Sequence, residues 1–196
     1  MNNKIILDTS EKSCIFKLRD ILSEQITYAL NSQKQIAILC IGTDRSTGDS
    51  LGPLVGDKLK FLVRDKVALY GNLEKPVHAK NLSKNLKDIK DTLQDPFIIA
   101  IDASLGAISN VGNVIVEKGP LLPGAALNKN LPPVGNVSIK GIVNISGNLE
   151  FLVLQNTRLY TVMNLADIIS KGLYHSILKT IGGPKLRKES LEDFAK

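Results

Sequence analysis

Two short segments of this chain are apolar at nearly every position: QIAILCIG, Gln35 to Gly42, and FIIAID, Phe97 to Asp102. A strand hidden on both faces reads this way, and such strands belong to sheets with helices packed above and below. Between them the period changes. Leu51, Val55, Leu59 and Leu62 recur at three- and four-residue steps, as do Leu82, Leu86, Ile89 and Leu93. Ile15, Leu18, Leu22, Ile26 and Leu30 do the same ahead of the first strand. These spacings predict amphipathic helices, with Pro53 in a first turn where no backbone donor is needed. Strands alternating with helices predict an α/β fold, a three-layer sandwich around a mostly parallel sheet.

The remaining segments fit that frame. VALYG, Val67 to Gly71, is a short strand, and NVIVEKG and VSIKGIV are a later pair. Asp95-Pro96 breaks the helix before FIIAID. Leu159, Val162, Ala166, Ile169, Leu173 and Ile177 stripe a long last helix that Gly182-Gly183-Pro184 stops. With no linker and no repeat, residues 1–196 are expected to form a single domain, frayed at 1–12 and 185–196. Half of the eight prolines fall in one long loop, GPLLPGAALNKNLPPVG, Gly119 to Gly135. A loop of that length inside a compact domain is usually functional or disordered.

Composition excludes several classes. Hydrophobic residues make up 43% and charged ones 22%, as in globular proteins. No run approaches the ~18 apolar residues of a membrane span, and the N-terminal stretch lacks the apolar core of a signal peptide. A cytoplasmic protein without a membrane partner is expected. The net charge of +6 permits an acidic partner. Aromatics are only 5% and tryptophan is absent, so little can stack on bases and nucleic acid is not expected as a partner. Cys14 and Cys40, the two cysteines, read as reduced structural thiols. No CxxC or HxxxH spacing marks a Cys/His metal site.

In open α/β sheets, ligands bind beyond the carboxyl ends of the strands. TDRSTGDS follows the first buried strand, Asp102 closes the third and ASLG follows it, and NLEKPVHAKN follows the second. Asp49, Asp102 and His78 therefore belong to one sheet edge. Asp49 alone is ambiguous, since Asp before a helix is a common cap, but Ser50 beside it can serve that purpose. Asp102 closes an apolar run, where a carboxylate pays desolvation unless something partners it; a structural Asp bonded to loop amides is the plain alternative. Two carboxylates on one edge can share a proton, polarise a water or hold a metal. GTDRSTGDS has neither a P-loop ending nor GxGxxG spacing, although Arg45 could bind an anion there. His78 is a candidate third metal or proton-transfer group. His175 falls off its helix stripe and reads as exposed and inert.

IGTDRSTGDSLGP, NLEKPVHAKNL, FIIAIDASLG and GPLLPGAALNKNLPPVG together resemble the YyaC-like sporulation proteins of endospore formers. That family is similar to the germination protease and, more remotely, to the hydrogenase-maturation endopeptidases, with a phosphorylase/hydrolase-like fold. The resemblance implies a catalytic pair at Asp49, in TGDSLGP, and Asp102, in IAIDAS. In the maturation enzymes the same two places hold acidic metal ligands. It also implies a substrate-side loop at Asn128 and Lys129. The germination protease has proline in place of Gly48 and alanine in place of Ser50.

The expected function is a sporulation-associated peptidase acting on a peptide or small spore protein, in the cytoplasm of the sporulating cell or forespore. Asp49 and Asp102 would be catalytic, and His78, Ser104, Asn128 and Lys129 would contact substrate. Asp49, Asp102 and His78 would be the ligands if a divalent metal takes part. The alternative is a catalytically silent binding or regulatory protein on the same fold. A homo-oligomer is left open.

Overall fold

The computed structural model describes residues 4–62, 67–123 and 131–182. The elements run β1 (Lys4–Leu7), α1 (Cys14–Asn31), β2 (Ile36–Cys40), a 3-10 turn (Thr47–Ser50), α2 (Leu51–Leu59) and β3 (Val67–Tyr70). They continue with α3 (Leu82–Thr92), β4 (Phe97–Gly106), β5 (Val114–Lys118), β6 (Val137–Ile145), α4 (Glu150–Gln155) and α5 (Leu159–Thr180). Six strands form one sheet in the order β1-β5-β6-β4-β2-β3. The pairs β6–β4, β4–β2 and β2–β3 are parallel, and β5 is antiparallel to both of its neighbours. The sheet is thus mostly parallel, as the alternating pattern predicted.

Alternation along each strand divides two cores. Ile36, Ile38, Cys40, Ile99 and Ile101 face α1, α2 and α5, whereas Ala37, Leu39, Ile41 and Ala100 face α3. Every residue of β2 is buried, which explains its unbroken apolar run. Leu18, Leu22 and Ile26 of α1 are fully buried, and burial of each stabilises by about 1.5–3 kcal/mol. Helices on both faces complete the three layers. Among the described residues no helix is long and apolar enough to cross a membrane.

Three expectations change. Lys4–Leu7 is not frayed: it is an edge strand paired with β5, because antiparallel pairing asks only for backbone groups and one buried residue, Leu7. Leu159 does not join the stripe of α5; it starts the helix with 58% of its surface exposed. β4 also runs on past Asp102 to Gly106. Its pairing with β2 ends at Cys40 and Ile101, while its pairing with β6 continues through Ser104 and, after a register shift, to Gly106. The expected frayed tail, residues 185–196, lies outside the described residues.

This difference in strand length makes the site. From β2 the chain crosses by α2 on one face to β3, then by α3 on the other face to β4, which lies on the opposite side of β2. The connections diverge at the boundary between β2 and β4. A crevice opens there beyond the strand ends, the usual ligand position in such sheets.

Candidate functional site

A cavity of about 380 Å3 lies in that crevice. The end of β2 and the turn after it contribute Ile41, Gly42, Thr43, Arg45, Ser46 and Asp49. The loop before α3 contributes His78, Ala79 and Lys80, and β4 contributes Asp102. Pro123, Leu131, Phe151, Leu154 and Gln155 supply the rest of the lining, which is largely apolar.

Asp49 is placed by backbone. Gly42 has φ +138°, a conformation side chains rarely adopt, and a Cβ there would collide with the Asp49 carbonyl oxygen. That close approach lets the Thr43 N–H donate to the Asp49 carbonyl at 3.0 Å, while the Asp49 N–H donates to the Ser46 carbonyl at 3.0 Å. The turn is thereby folded back onto the end of β2. Ser50 does not act as the expected cap. Its hydroxyl donates to the Thr47 carbonyl at 2.7 Å, and no side-chain bond caps α2. The 3-10 turn already uses the local backbone, so the nearer carbonyl takes the hydroxyl.

Asp102 is 8% exposed and sits inside β4, where the strand loses its β2 neighbour. Its Oδ1 accepts the Ala103 N–H at 2.8 Å. That bond fits the structural role weighed for it, and the residue also borders the cavity. His78 is held by Asn81, whose Oδ1 accepts the His78 N–H at 2.8 Å and whose Nδ2 donates to the Pro76 carbonyl at 2.9 Å. Val77 bridges Ile41, and its carbonyl accepts the Gly42 N–H at 2.8 Å, which brings His78 beside the Asp49 turn. Nδ1 of His78 accepts the Lys80 N–H at 3.3 Å, so the neutral ring carries its proton on Nε2.

The other candidates fare differently. Ser104 is not among the residues lining the cavity; its hydroxyl turns onto the Leu105 carbonyl at 3.2 Å, next to the register shift of β4. Asn128 and Lys129 lie outside the described residues. His175 is exposed on α5, edge-on to Tyr174. Both cysteines are free and buried, and burial pushes both thiols up, Cys40 far up, so neither is a ready nucleophile.

The trio expected as metal ligands shares the cavity but does not form a ligating cluster. Among the described residues, no three His, Cys, Asp or Glu side chains form a group that could hold a metal ion.

Pro123 and Leu131 come from the prolyl loop expected to line the cleft; the α4 part of the apolar lining is what sequence reasoning missed. α4 has only six residues, EFLVLQ, too few to show a helical period against the flanking loops. A Cβ on Gly48 would lie 2.8–2.9 Å from Leu154 atoms, so glycine at this position allows α4 to press on the Asp49 turn. The available signal was the apolar cluster FLVL lying between two predicted elements.

With the site described, comparison with known proteins gives the lineage. Residues 6–172 match the family described as "Protein of unknown function (DUF1256)". The chain belongs to this family. It is 50% identical over 157 residues to "Uncharacterized protein YyaC" of Bacillus subtilis (strain 168), covering 80% of this chain and 76% of that protein. The resemblance to YyaC-like proteins is thereby met. Among solved structures, the chain is similar to the [NiFe] hydrogenase maturation protease HycI from Thermococcus kodakarensis KOD1. That likeness has a TM-score of 0.41 and 20% identity, over 72% of this chain and 93% of that one.

Proposed function

We propose that the crevice is the active site of a sporulation-associated peptidase, with Asp49 and Asp102 as its acid–base pair. The observation that carries this reading is that two carboxylates from separate segments border one cavity with an apolar wall. The likeness of TGDSLGP and IAIDAS to the catalytic segments of the germination protease supports it.

In the proposed reaction one carboxylate takes a proton from a water as its oxygen bonds to the peptide carbonyl carbon. The other, starting protonated as a carboxylic acid, gives its proton to the amide nitrogen as the carbon–nitrogen bond breaks and is left as the carboxylate. His78, with its proton on Nε2, can donate to the substrate carbonyl. The substrate we propose is a peptide or small spore protein in the cytoplasm of the sporulating cell or forespore.

The test is incubation of the pure protein with acid-soluble spore proteins, with and without added divalent metal, and fragment detection by mass spectrometry. Asp49→Asn and Asp102→Asn should each lower cleavage by about 10²- to 10⁴-fold with melting temperatures close to that of the unsubstituted protein. Full cleavage by both variants would refute the pair. If no preparation turns over and Asp102→Asn lowers the melting temperature, the carboxylates are structural and the fold serves binding.

A further inference from the structure

Ser46 precedes Asp49 by one short turn and has extended backbone geometry at the start of the 3-10 turn. A serine there ordinarily turns its hydroxyl onto the amides that follow. This one makes no cap bond. Its Oγ is sealed from solvent and is without a hydrogen-bond partner, the one such side-chain atom found among the described residues. An unpaired buried hydroxyl costs about 1–3 kcal/mol, and native proteins retain few of them. Retention here calls for a reason, and the position supplies one: Ser46 lines the same cavity as Asp49 and Asp102.

We infer that Ser46 is a substrate-contacting residue whose hydroxyl donates a hydrogen bond to a carbonyl oxygen of a peptide bound in the cavity. This inference rests on the peptidase reading above. With its oxygen sealed, Ser46 borders the cavity through its other atoms. A serine side chain has three staggered positions about χ1, and its present one is held by no hydrogen bond. Turning the oxygen toward an entering carbonyl therefore breaks nothing and relieves an unpaired group. The carboxylates of Asp49 and Asp102, which line the same cavity, are acceptors when ionised and cannot stabilise a carbonyl oxygen in that form. A neutral hydroxyl lining the same cavity adds a second donor to the one His78 offers, at the atom where negative charge grows as water adds.

The experiment uses the full chain and two readouts. In the Asp102→Asn background, short random-sequence peptides are passed over immobilised protein, and retained sequences are remade with a fluorescent label. Ser46→Ala in that background should weaken their binding about five- to tenfold. In the otherwise unsubstituted protein, Ser46→Ala should lower kcat about tenfold or more. Its melting temperature should be unchanged or raised, because an unpaired buried hydroxyl has been removed. Ser46→Thr, which keeps the hydroxyl, should restore most of both losses. A purely structural serine would instead show a lower melting temperature with affinity intact.

Equal affinity and equal kcat in Ser46→Ala overturn the inference and leave the peptidase reading standing. Peptides bound through Ser46 but never cut by any form overturn hydrolysis and leave the contact. Retention of no peptide by any form overturns both.

Discussion

The two walls of the cavity are built to different standards. The carboxylate wall is fixed by backbone: the β2–β4 ladder, the Gly42 close approach, and the Thr43 and Asp49 amide bonds that fold the turn back. The α4 wall is a six-residue helix that begins after Leu149 in a left-handed conformation, φ +58°, costly for a leucine. Phe151 and Leu152 are 54% and 48% exposed, and Leu154 is the buried residue of the helix. So short a helix draws its stability from packing rather than from its own hydrogen bonds. The two carboxylates thus sit where backbone geometry is fixed, and the apolar α4 surface sits where side chains can adjust. Side-chain changes in the first wall should alter chemistry, and those in the second should alter selection.

The hardest way to break that contrast is to disturb the backbone of the first wall. Gly42→Ala forces a Cβ into the Asp49 carbonyl and imposes an unfavourable φ. It should cost about 3 kcal/mol or more and abolish turnover together with stability, read by chemical denaturation and peptide cleavage. A variant of unchanged stability would show that the turn is not clamped as described. On the second wall, Phe151→Ala removes exposed apolar surface that borders the cavity. It should raise KM about three- to tenfold while the unfolding free energy changes by less than about 1 kcal/mol. A fall in kcat at constant KM would blur the two walls.

The smallest effect lies far from both and serves as a control. The Arg19 side chain, then Lys179, holds the exposed Asp20 carboxyl below the usual carboxylate range. A depressed carboxyl contributes stability that is present above its unfolded value and is lost as pH falls through the folded one. Asp20→Asn should therefore lower the melting temperature slightly at neutral pH. The difference should begin to shrink below about pH 4, close only as pH falls further through the depressed folded value, and shrink with salt. Cleavage should stay the same throughout.

Much of this was legible in the chain because burial writes itself into residue type. β2, α1, α2, α3 and the placement of Asp49, Asp102 and His78 at one edge followed from apolar runs and periods. Other features depend on groups that every residue carries. β4 extends beyond its apolar run because backbone pairing with β6 does not require apolar side chains, and β1 docks for the same reason. Hydroxyls are equally hard to read, since their alternative partners differ by about 1 kcal/mol. Ser50 went to a carbonyl instead of capping, and the Ser46 hydroxyl went to no partner at all.

By itself, then, the sequence determined the layers, the parallel core and the pair of carboxylates at its open edge, since these rest on which residues leave water. Tertiary structure decided that β4 outlasts β2, that α4 closes the cavity, and that Ser46 is stranded beside it. Each of those depends on backbone approach between segments distant in the chain, which no local pattern encodes.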